Sequence, residues 1–187
     1  MMWDPHPGLS LRNDRVPNED ADRQKHTAIE ILRRLDHQPG IVLADEVGMG
    51  KTVVALAVAV SAVQATRKRR PVVVMVPAGV AEKWPKEWAV FSERCLPPGH
   101  GIRASDAIRR GSDFLKLLDD DAASRSHIIF LTHGALTQSL NDPLIRLAII
   151  RRALWRRRSL APQRRAVIRF GAKLLNDRRF TEEVTED

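Results

Sequence analysis

The stretch from Leu43 to Thr52 constrains the fold of this chain more than any other part of it, and its sequence is LADEVGMGKT. It follows the short apolar run 41–43 and precedes a long apolar segment that begins at Val53. A short strand, a glycine-rich turn and a helix form the layout of a phosphate-binding loop. The stretch therefore predicts a nucleoside triphosphate and its magnesium ion as the ligand.

Each residue type in this loop has a chemical reason. Gly48 and Gly50 lack a Cβ, so their backbone can adopt a positive φ and approach a ligand closely. The amides up to Thr52 can then form an anion-binding nest at a helix N-terminus. We expect Lys51, the candidate catalytic residue, to reach the β- and γ-phosphates, and the Thr52 hydroxyl to ligate magnesium. The usual pattern begins with glycine where this chain has Asp45, so a glycine-rich turn with a chance lysine is the alternative interpretation.

Four blocks together resemble a known family. The loop with its Ala-Asp-Glu start resembles motif I of superfamily-two helicase-like ATPases, and is most similar to SWI/SNF-type translocases and bacterial RNA-polymerase-recycling ATPases. The resemblance covers roughly residues 20 to 140. Its other blocks are a glutamine motif at Asp22-Arg23-Gln24, motif Ia at 72–77 with 82–88, and motif Ib at 128–133.

This resemblance implies roles for particular residues. ATP and magnesium would be held by Gln24, on the adenine edge, and by the loop residues Asp45, Glu46, Val47, Gly48, Met49, Gly50, Lys51 and Thr52. The nucleic-acid track would be lined or supported by Pro77, Trp84, Thr132 and His133. His133 could instead cap the following helix, and Trp84 and Trp88 could be core residues.

The order of apolar segments predicts an α/β fold. Strands are expected at 41–44, 72–76 and 128–132, with a further short strand near Ile102. Helices are expected at about 20–36, 51–65, 79–91 and 112–119. Because strands and helices alternate, the sheet should be mostly parallel. With the resemblance, this predicts an incomplete RecA-like P-loop three-layer sandwich over residues 21–140, after an irregular leader at 1–20.

Residues 141–187 form a third section, an arginine-rich insertion or extension. Asn141-Asp142-Pro143 is a strong helix start. An apolar stripe at helical spacing follows, comprising Leu144, Leu147, Ile150 and Leu154. Arginines such as Arg151, Arg152 and Arg156 suit phosphate, because a guanidinium binds two oxygens at once. This section could contact nucleic acid, contact a protein or have no partner.

The overall composition is that of a basic globular protein. The net charge is +8 and the pI is near 10.5. These values favour a polyanionic partner, double-stranded DNA or RNA, although a genome-wide preference for arginine would give the same values. We expect no membrane span and no secretion signal, and a cytoplasmic, nucleoid-associated location. The single cysteine, Cys95, fits a reducing compartment and should be a semi-buried apolar residue.

Hydrolysis requires more than phosphate binding. In the resembled family an Asp-Glu pair ends a later strand and orients the attacking water, and we find no such pair after Thr132. A second lobe, in cis or in trans, would also be needed. The prediction is therefore an ATP-binding N-terminal part of a DNA-dependent helicase-like ATPase that does not hydrolyse ATP alone. The alternative is a non-catalytic nucleic-acid- or protein-binding module with a vestigial ATP site.

Overall fold

The computed structural model of the protein describes residues 3–68, 70–119 and 124–139. The α-helices are α1 (Asn18–Leu35), α2 (Lys51–Ala65), α3 (Lys83–Cys95), α4 (Gly111–Asp119) and α5 (His133–Ser139). The strands are β1 (Val72–Val76), β2 (Ala104–Ile108) and β3 (Ile128–Thr132), and a short 3-10 helix covers Ala78–Val80. The predicted helix 51–65 and strands 72–76 and 128–132 are confirmed.

The three strands form one parallel sheet in the order β1-β3-β2. The middle strand, β3, follows both of its neighbours in the chain and is buried along its whole length. It pairs with β1 in continuous register from Val72↔Ile128 to Val76↔Thr132. This arrangement confirms the α/β prediction of a parallel sheet with helices between its strands.

The first face of the sheet carries the larger hydrophobic core. Helix α2 is apolar nearly all round and fully buries Val54, Leu56, Val60 and Val63. These side chains pack in one cluster with Ile128 and Phe130 of β3, and with residues of α1 and α3. A helix without a polar face must be covered on most sides, and here α1 and the sheet provide that cover.

A smaller cluster lies on the second face. Ile129 and Leu131 of β3 point away from the first core and pack with Ile108 and Ala135, because successive strand residues face opposite sides of a sheet. Phe114 and Leu117 of α4 pack against this cluster. Helices therefore lie on both faces of the sheet, which gives the three layers expected.

Residues 3–17 contain neither helix nor strand, yet they pack closely on the domain. Leu11 is buried in the first core. The backbone N–H of His6 donates to the Ser61 hydroxyl oxygen at 3.0 Å, and that of Ser10 donates to the Cys95 carbonyl at 2.9 Å. We call residues 3–17 the N-terminal strap, because they tie α2 to the end of α3.

One predicted element is wrong, and another has different bounds. Residues 41–44 do not form a strand, and Val42 is 91% exposed, although Leu43 packs against the first core. A strand requires a hydrogen-bonded neighbour, and among the described strands β1 bonds only to β3, which leaves residues 41–44 without a ladder. The predicted helix 79–91 is present with shifted bounds: the 3-10 helix covers Ala78–Val80, and α3 begins at Lys83 and extends to Cys95.

Candidate functional site

The N-terminus of α2 has the geometry of an anion site. Gly50 is its N-cap, in the left-handed region at φ 79° and ψ 26°, and Gly48 also has a positive φ of 90°. No side chain caps this end of α2 among the described residues. The amide groups of the first helical turn have no acceptors within the helix, so they can bind an anion together with the positive end of the helix dipole.

Lys51 lies against the loop that precedes it. Its Nζ donates to the carbonyl oxygens of Asp45 at 2.8 Å and Glu46 at 2.6 Å. The side chains of both acidic residues, and that of Val47, are exposed. The ammonium group is therefore held within the turn by main-chain oxygens.

Gln24 borders the same turn from α1. The residue is only 6% exposed, and its Oε1 has no hydrogen-bond partner among the described residues. A Cβ added to Gly50 would overlap the Gln24 amide, so the two residues are in close contact. An unpartnered buried oxygen is costly, and a ligand that donates a hydrogen bond would remove that cost.

Arg23 makes a hydrogen bond between α1 and the glycine turn that was not predicted from the sequence. Its Nη2 donates to the carboxylate of Asp20 at 3.0 Å and to the carbonyl oxygen of Met49 at 3.4 Å. The Arg23–Met49 contact joins residues 26 positions apart, so a local sequence pattern cannot predict it. Together, Arg23 and Gln24 fix α1 against the glycine turn.

Thr52, the predicted magnesium ligand, is half-buried in the first turn of α2. In the described parts of the chain, no group of three or more His, Cys, Asp or Glu side chains could hold a metal ion.

The tryptophans of the predicted motif Ia are packing residues. Trp84 and Trp88 are half-buried and pack against the first core. The Trp84 ring centroid lies 5.9 Å from that of Phe130, and the Trp88 centroid lies 6.1 Å from that of Phe91. These contacts favour the core interpretation over a direct role in binding.

The predicted nucleic-acid residues of the lobe meet at one edge of the sheet. Val76 pairs with Thr132, so Pro77 and His133, which follow them, are neighbours at the carboxyl ends of β1 and β3. Pro77 and His133 are exposed, whereas Thr132 is 3% exposed. Thr132 can support this edge, and the other two can contact a ligand there.

A second missed contact lies near this edge. Arg109, directly after β2, donates through Nη2 to Glu82 at 2.8 Å, and both side chains are largely exposed. The pair connects the end of β2 with the start of α3. The three predicted arginines Arg151, Arg152 and Arg156 lie outside the described residues.

Cys95 behaves as an ordinary core residue. It is buried at the end of α3, and burial raises the pKa of its thiol above the usual range. A raised thiol pKa lowers the fraction of reactive thiolate. The expectation of a semi-buried apolar cysteine agrees with this position, which is more buried than expected.

One family model matches the part of the chain that contains these residues. Residues 24–95 match the SNF2-related domain family, and this stretch contains Gln24, the glycine turn, α2, β1 and α3. The stretch is therefore similar to part of an SNF2-related domain, and the resemblance to the N-terminal lobe of superfamily-two helicase-like ATPases is confirmed.

A curated relative agrees with this assignment. The chain is 32% identical over 85 residues to an uncharacterised ATP-dependent helicase of Mycoplasma genitalium. The alignment covers 45% of this chain and only 8% of that much longer protein. No solved structure matches the chain significantly.

In the described parts of the chain, no helix is long and apolar enough to cross a bilayer.

Proposed function

We propose that this chain, which is similar to part of an SNF2-related domain, binds MgATP at the start of α2 as the N-terminal part of a nucleic-acid-dependent helicase-like ATPase. One observation carries the proposal. The uncapped N-terminus of α2, with glycines in the left-handed region, meets the unpartnered Oε1 of Gln24. A triphosphate would bind at the N-terminus of α2. The exocyclic amino group of adenine would donate a hydrogen bond to Gln24 Oε1.

Different residues of the chain would bind different parts of MgATP. The amides of Gly48 to Thr52 would bind the phosphate oxygens through the positive end of α2. Lys51 would exchange its two carbonyl acceptors for phosphate oxygens, and Thr52 would bind the magnesium ion. A bound magnesium ion would neutralise part of the triphosphate charge.

Hydrolysis and movement along nucleic acid require groups that the described residues do not supply. We propose that an acidic pair on a later strand and a second lobe provide them, in cis or in trans. The exposed Pro77 and His133 would form part of the nucleic-acid track at the carboxyl edge of the sheet. Double-stranded DNA is the proposed track, with RNA as the other polyanion that this basic chain could bind.

Substitution of Lys51 tests the nucleotide site. We expect Lys51→Ala to weaken MgATP binding by roughly 10- to 100-fold, because a charge-assisted hydrogen bond contributes about 1.5–3 kcal/mol. Binding would be measured by titration with a fluorescent ATP analogue in excess magnesium. Lys86→Ala is the matched control, because it removes the same charge from an exposed position on α3. Equal affinities for Lys51→Ala and Lys86→Ala, with unchanged circular dichroism, would overturn the proposal.

One observation favours the second candidate, a binding module with a vestigial ATP site. Lys51 already donates to two main-chain carbonyl oxygens, so these two short hydrogen bonds must break before Lys51 can bind a phosphate. In such a module, the log of the DNA-binding constant would fall by about 0.9 per contacted phosphate for each log unit of salt concentration, whether or not ATP is present. Identical salt slopes for the wild-type chain and Lys51→Ala, together with no measurable MgATP binding, would favour this candidate.

A further inference from the structure

Positive charge is concentrated at the amino-terminal ends of the three strands. The segments that lead into β1, β2 and β3 are residues 66–71, 97–103 and 124–127. Their described positions hold five lysines and arginines and no aspartate or glutamate. We call these five residues the basic edge: Arg67, Lys68, Arg70, Arg103 and Arg125.

Hydrogen bonds join the three segments into one surface. The backbone N–H of Val72 donates to the His127 carbonyl at 2.8 Å, and that of His127 donates to the Arg103 carbonyl at 2.8 Å. The Nζ of Lys68 donates to the His100 carbonyl at 2.8 Å. The cations of the basic edge are therefore neighbours in a fixed arrangement, although they come from distant parts of the sequence.

The charge of this edge exceeds what the fold itself requires. Helices α2 and α3 both end where these segments begin, and the negative ends of two helix dipoles amount to about one elementary charge. The sequence places three aspartates at 119–121, before Ser124, but six cations in the same segments, since Arg69 adds to the five. Among the described ion pairs, none includes Arg67, Lys68 or Arg70.

Two of these cations have a strained backbone. Arg67 at φ 51° and Lys68 at φ 58° are, in the described parts of the chain, the only residues other than glycine with a positive φ. Their N–H groups donate to the Gln64 and Val63 carbonyls and close the end of α2. Glycine is the usual residue there, because it adopts a positive φ without strain. Strain that persists in two cationic residues points to a role for their side chains.

We propose that the basic edge binds the phosphate backbone of a nucleic acid, as a second contact surface on the opposite edge of the sheet from the proposed track. Arg67 and Arg70 are exposed, and a guanidinium binds two phosphate oxygens at once. The proposed track lies at the carboxyl ends of the same strands, and a strand of five residues is about 17 Å long. The two surfaces therefore contact different parts of the nucleic acid.

Charge density favours a nucleic acid over an acidic protein segment. Neighbouring strands lie about 4.8 Å apart, so the ends of three strands span about 10 Å. A duplex carries one negative charge per about 1.7 Å of its axis. An extended acidic peptide carries at most one charge per about 3.3 Å, so it would match the basic edge less well.

The salt dependence of DNA binding tests this surface in the full chain. Binding of a short DNA duplex would be titrated at several salt concentrations, for the wild type and for a variant with both Arg67→Gly and Arg70→Ala. We expect the slope of log binding constant against log salt to become smaller by about 1.8, since each lost phosphate contact removes about 0.9. A duplex RNA of equal length, titrated in parallel, shows which nucleic acid the surface prefers.

The matched control combines Lys25→Ala with Arg33→Ala. Both residues are exposed on α1, which packs on α2, so the control removes the same charge away from the basic edge. It should keep the wild-type slope. Equal slopes for the two double variants would overturn the proposal. Binding of poly-glutamate that requires the basic edge, without such a requirement for DNA, would also overturn it and identify an acidic protein segment as the partner.

Arg67→Gly alone separates binding from stability. Glycine accepts the φ of 51° without strain, so the denaturation midpoint should stay the same or rise, while DNA affinity falls. A lower midpoint with unchanged DNA affinity would assign Arg67 to the fold alone and contradict the proposal.

The basic edge does not depend on the nucleotide site. Lys51→Ala should keep the wild-type salt slope, so a failure to bind MgATP would remove the proposed nucleotide site and leave this surface intact. Equal slopes for the basic-edge and control variants would do the reverse. A wild-type chain that binds neither DNA nor RNA would exclude both the basic edge and the proposed track.

Discussion

At the scale of single residues, two separate constraints exclude a side chain at Gly50. Its φ of 79° lies where a Cβ is strained, and the space that a Cβ would need is filled by the Gln24 amide. The first constraint comes from the turn into α2, and the second comes from the packing of α1 on that turn. The glycine therefore serves both the local backbone and the contact between two helices.

Gly50→Ala should destabilise the fold by about 1–3 kcal/mol, the usual cost of a strained backbone. It should also weaken MgATP binding, because the nest amides would shift. Gly79→Ala is the control, because an added Cβ there meets no atom within 4 Å and its φ is not positive; its effect should stay within about 0.5 kcal/mol. Denaturant titration followed by circular dichroism measures both, and similar midpoints for the two variants would contradict this account.

At the scale of elements, α2 organises the first core and also anchors the N-terminal strap. Its one fully buried polar side chain, Ser61, donates to the Ala57 carbonyl at 2.7 Å and accepts the His6 N–H at 3.0 Å. A helix whose other buried side chains are apolar thus provides one buried polar attachment point for an irregular segment. This explains how residues without helix or strand remain packed on the core.

Ser61→Ala should cost about 1–3 kcal/mol, because the buried His6 N–H would lose its acceptor. Ser92→Ala on α3 is the matched control, since its hydroxyl donates to Ala89 within its own helix and lies near solvent. The control should change the free energy of unfolding by no more than about 0.5 kcal/mol. Early proteolysis of residues 3–17 in Ser61→Ala, and not in the control, would confirm the anchoring; equal stability of the two variants would exclude it.

At the scale of the whole molecule, three histidines join the strap, the loop after α3 and the entry to β3. Each Nδ1 accepts a main-chain N–H: His6 from Gly8, His100 from Ile102 and His127 from Arg103. Burial is the main cause that lowers the pKa of all three below the ordinary 6.5, and neighbouring cations, Lys68 in every case, lower it further. For His6 the neighbours include His100, and for His127 they include Arg103 and Arg125.

The direction of the pH dependence follows from these lowered pKa values. Below pH 6.5 the unfolded chain binds more protons than the folded chain, so stability falls as the pH drops through the window beneath 6.5. Above that pH the histidines are neutral in both states and contribute no slope. We expect the denaturation midpoint to fall between pH 7 and pH 5 by more than exposed carboxylates alone would cause.

His6→Asn tests the origin of this slope. The asparagine Oδ1 can accept the Gly8 N–H as Nδ1 does, but it does not titrate, so the fall in stability towards pH 5 should become smaller. His37→Asn, in the exposed turn after α1, is the control and should keep the wild-type slope. An unchanged slope in His6→Asn would remove His6 from the explanation.

Much of this protein follows from local sequence. The apolar runs of β1 and β3, the glycine turn and the apolar helix α2 are set by neighbours in the chain, and each was predicted with its bounds. Other features depend on distant partners. The short strand expected near Ile102 lies instead at Ala104–Ile108, where the sequence Ala-Ser-Asp-Ala-Ile has a weak strand pattern but pairs with β3. The apolar segment 41–44, in contrast, forms no strand because no described strand pairs with it. The contact of Gln24 with Gly50 likewise requires α1 to pack on α2. A residue's backbone preference is local, but a hydrogen-bonding neighbour or a packing partner is supplied only by the folded chain.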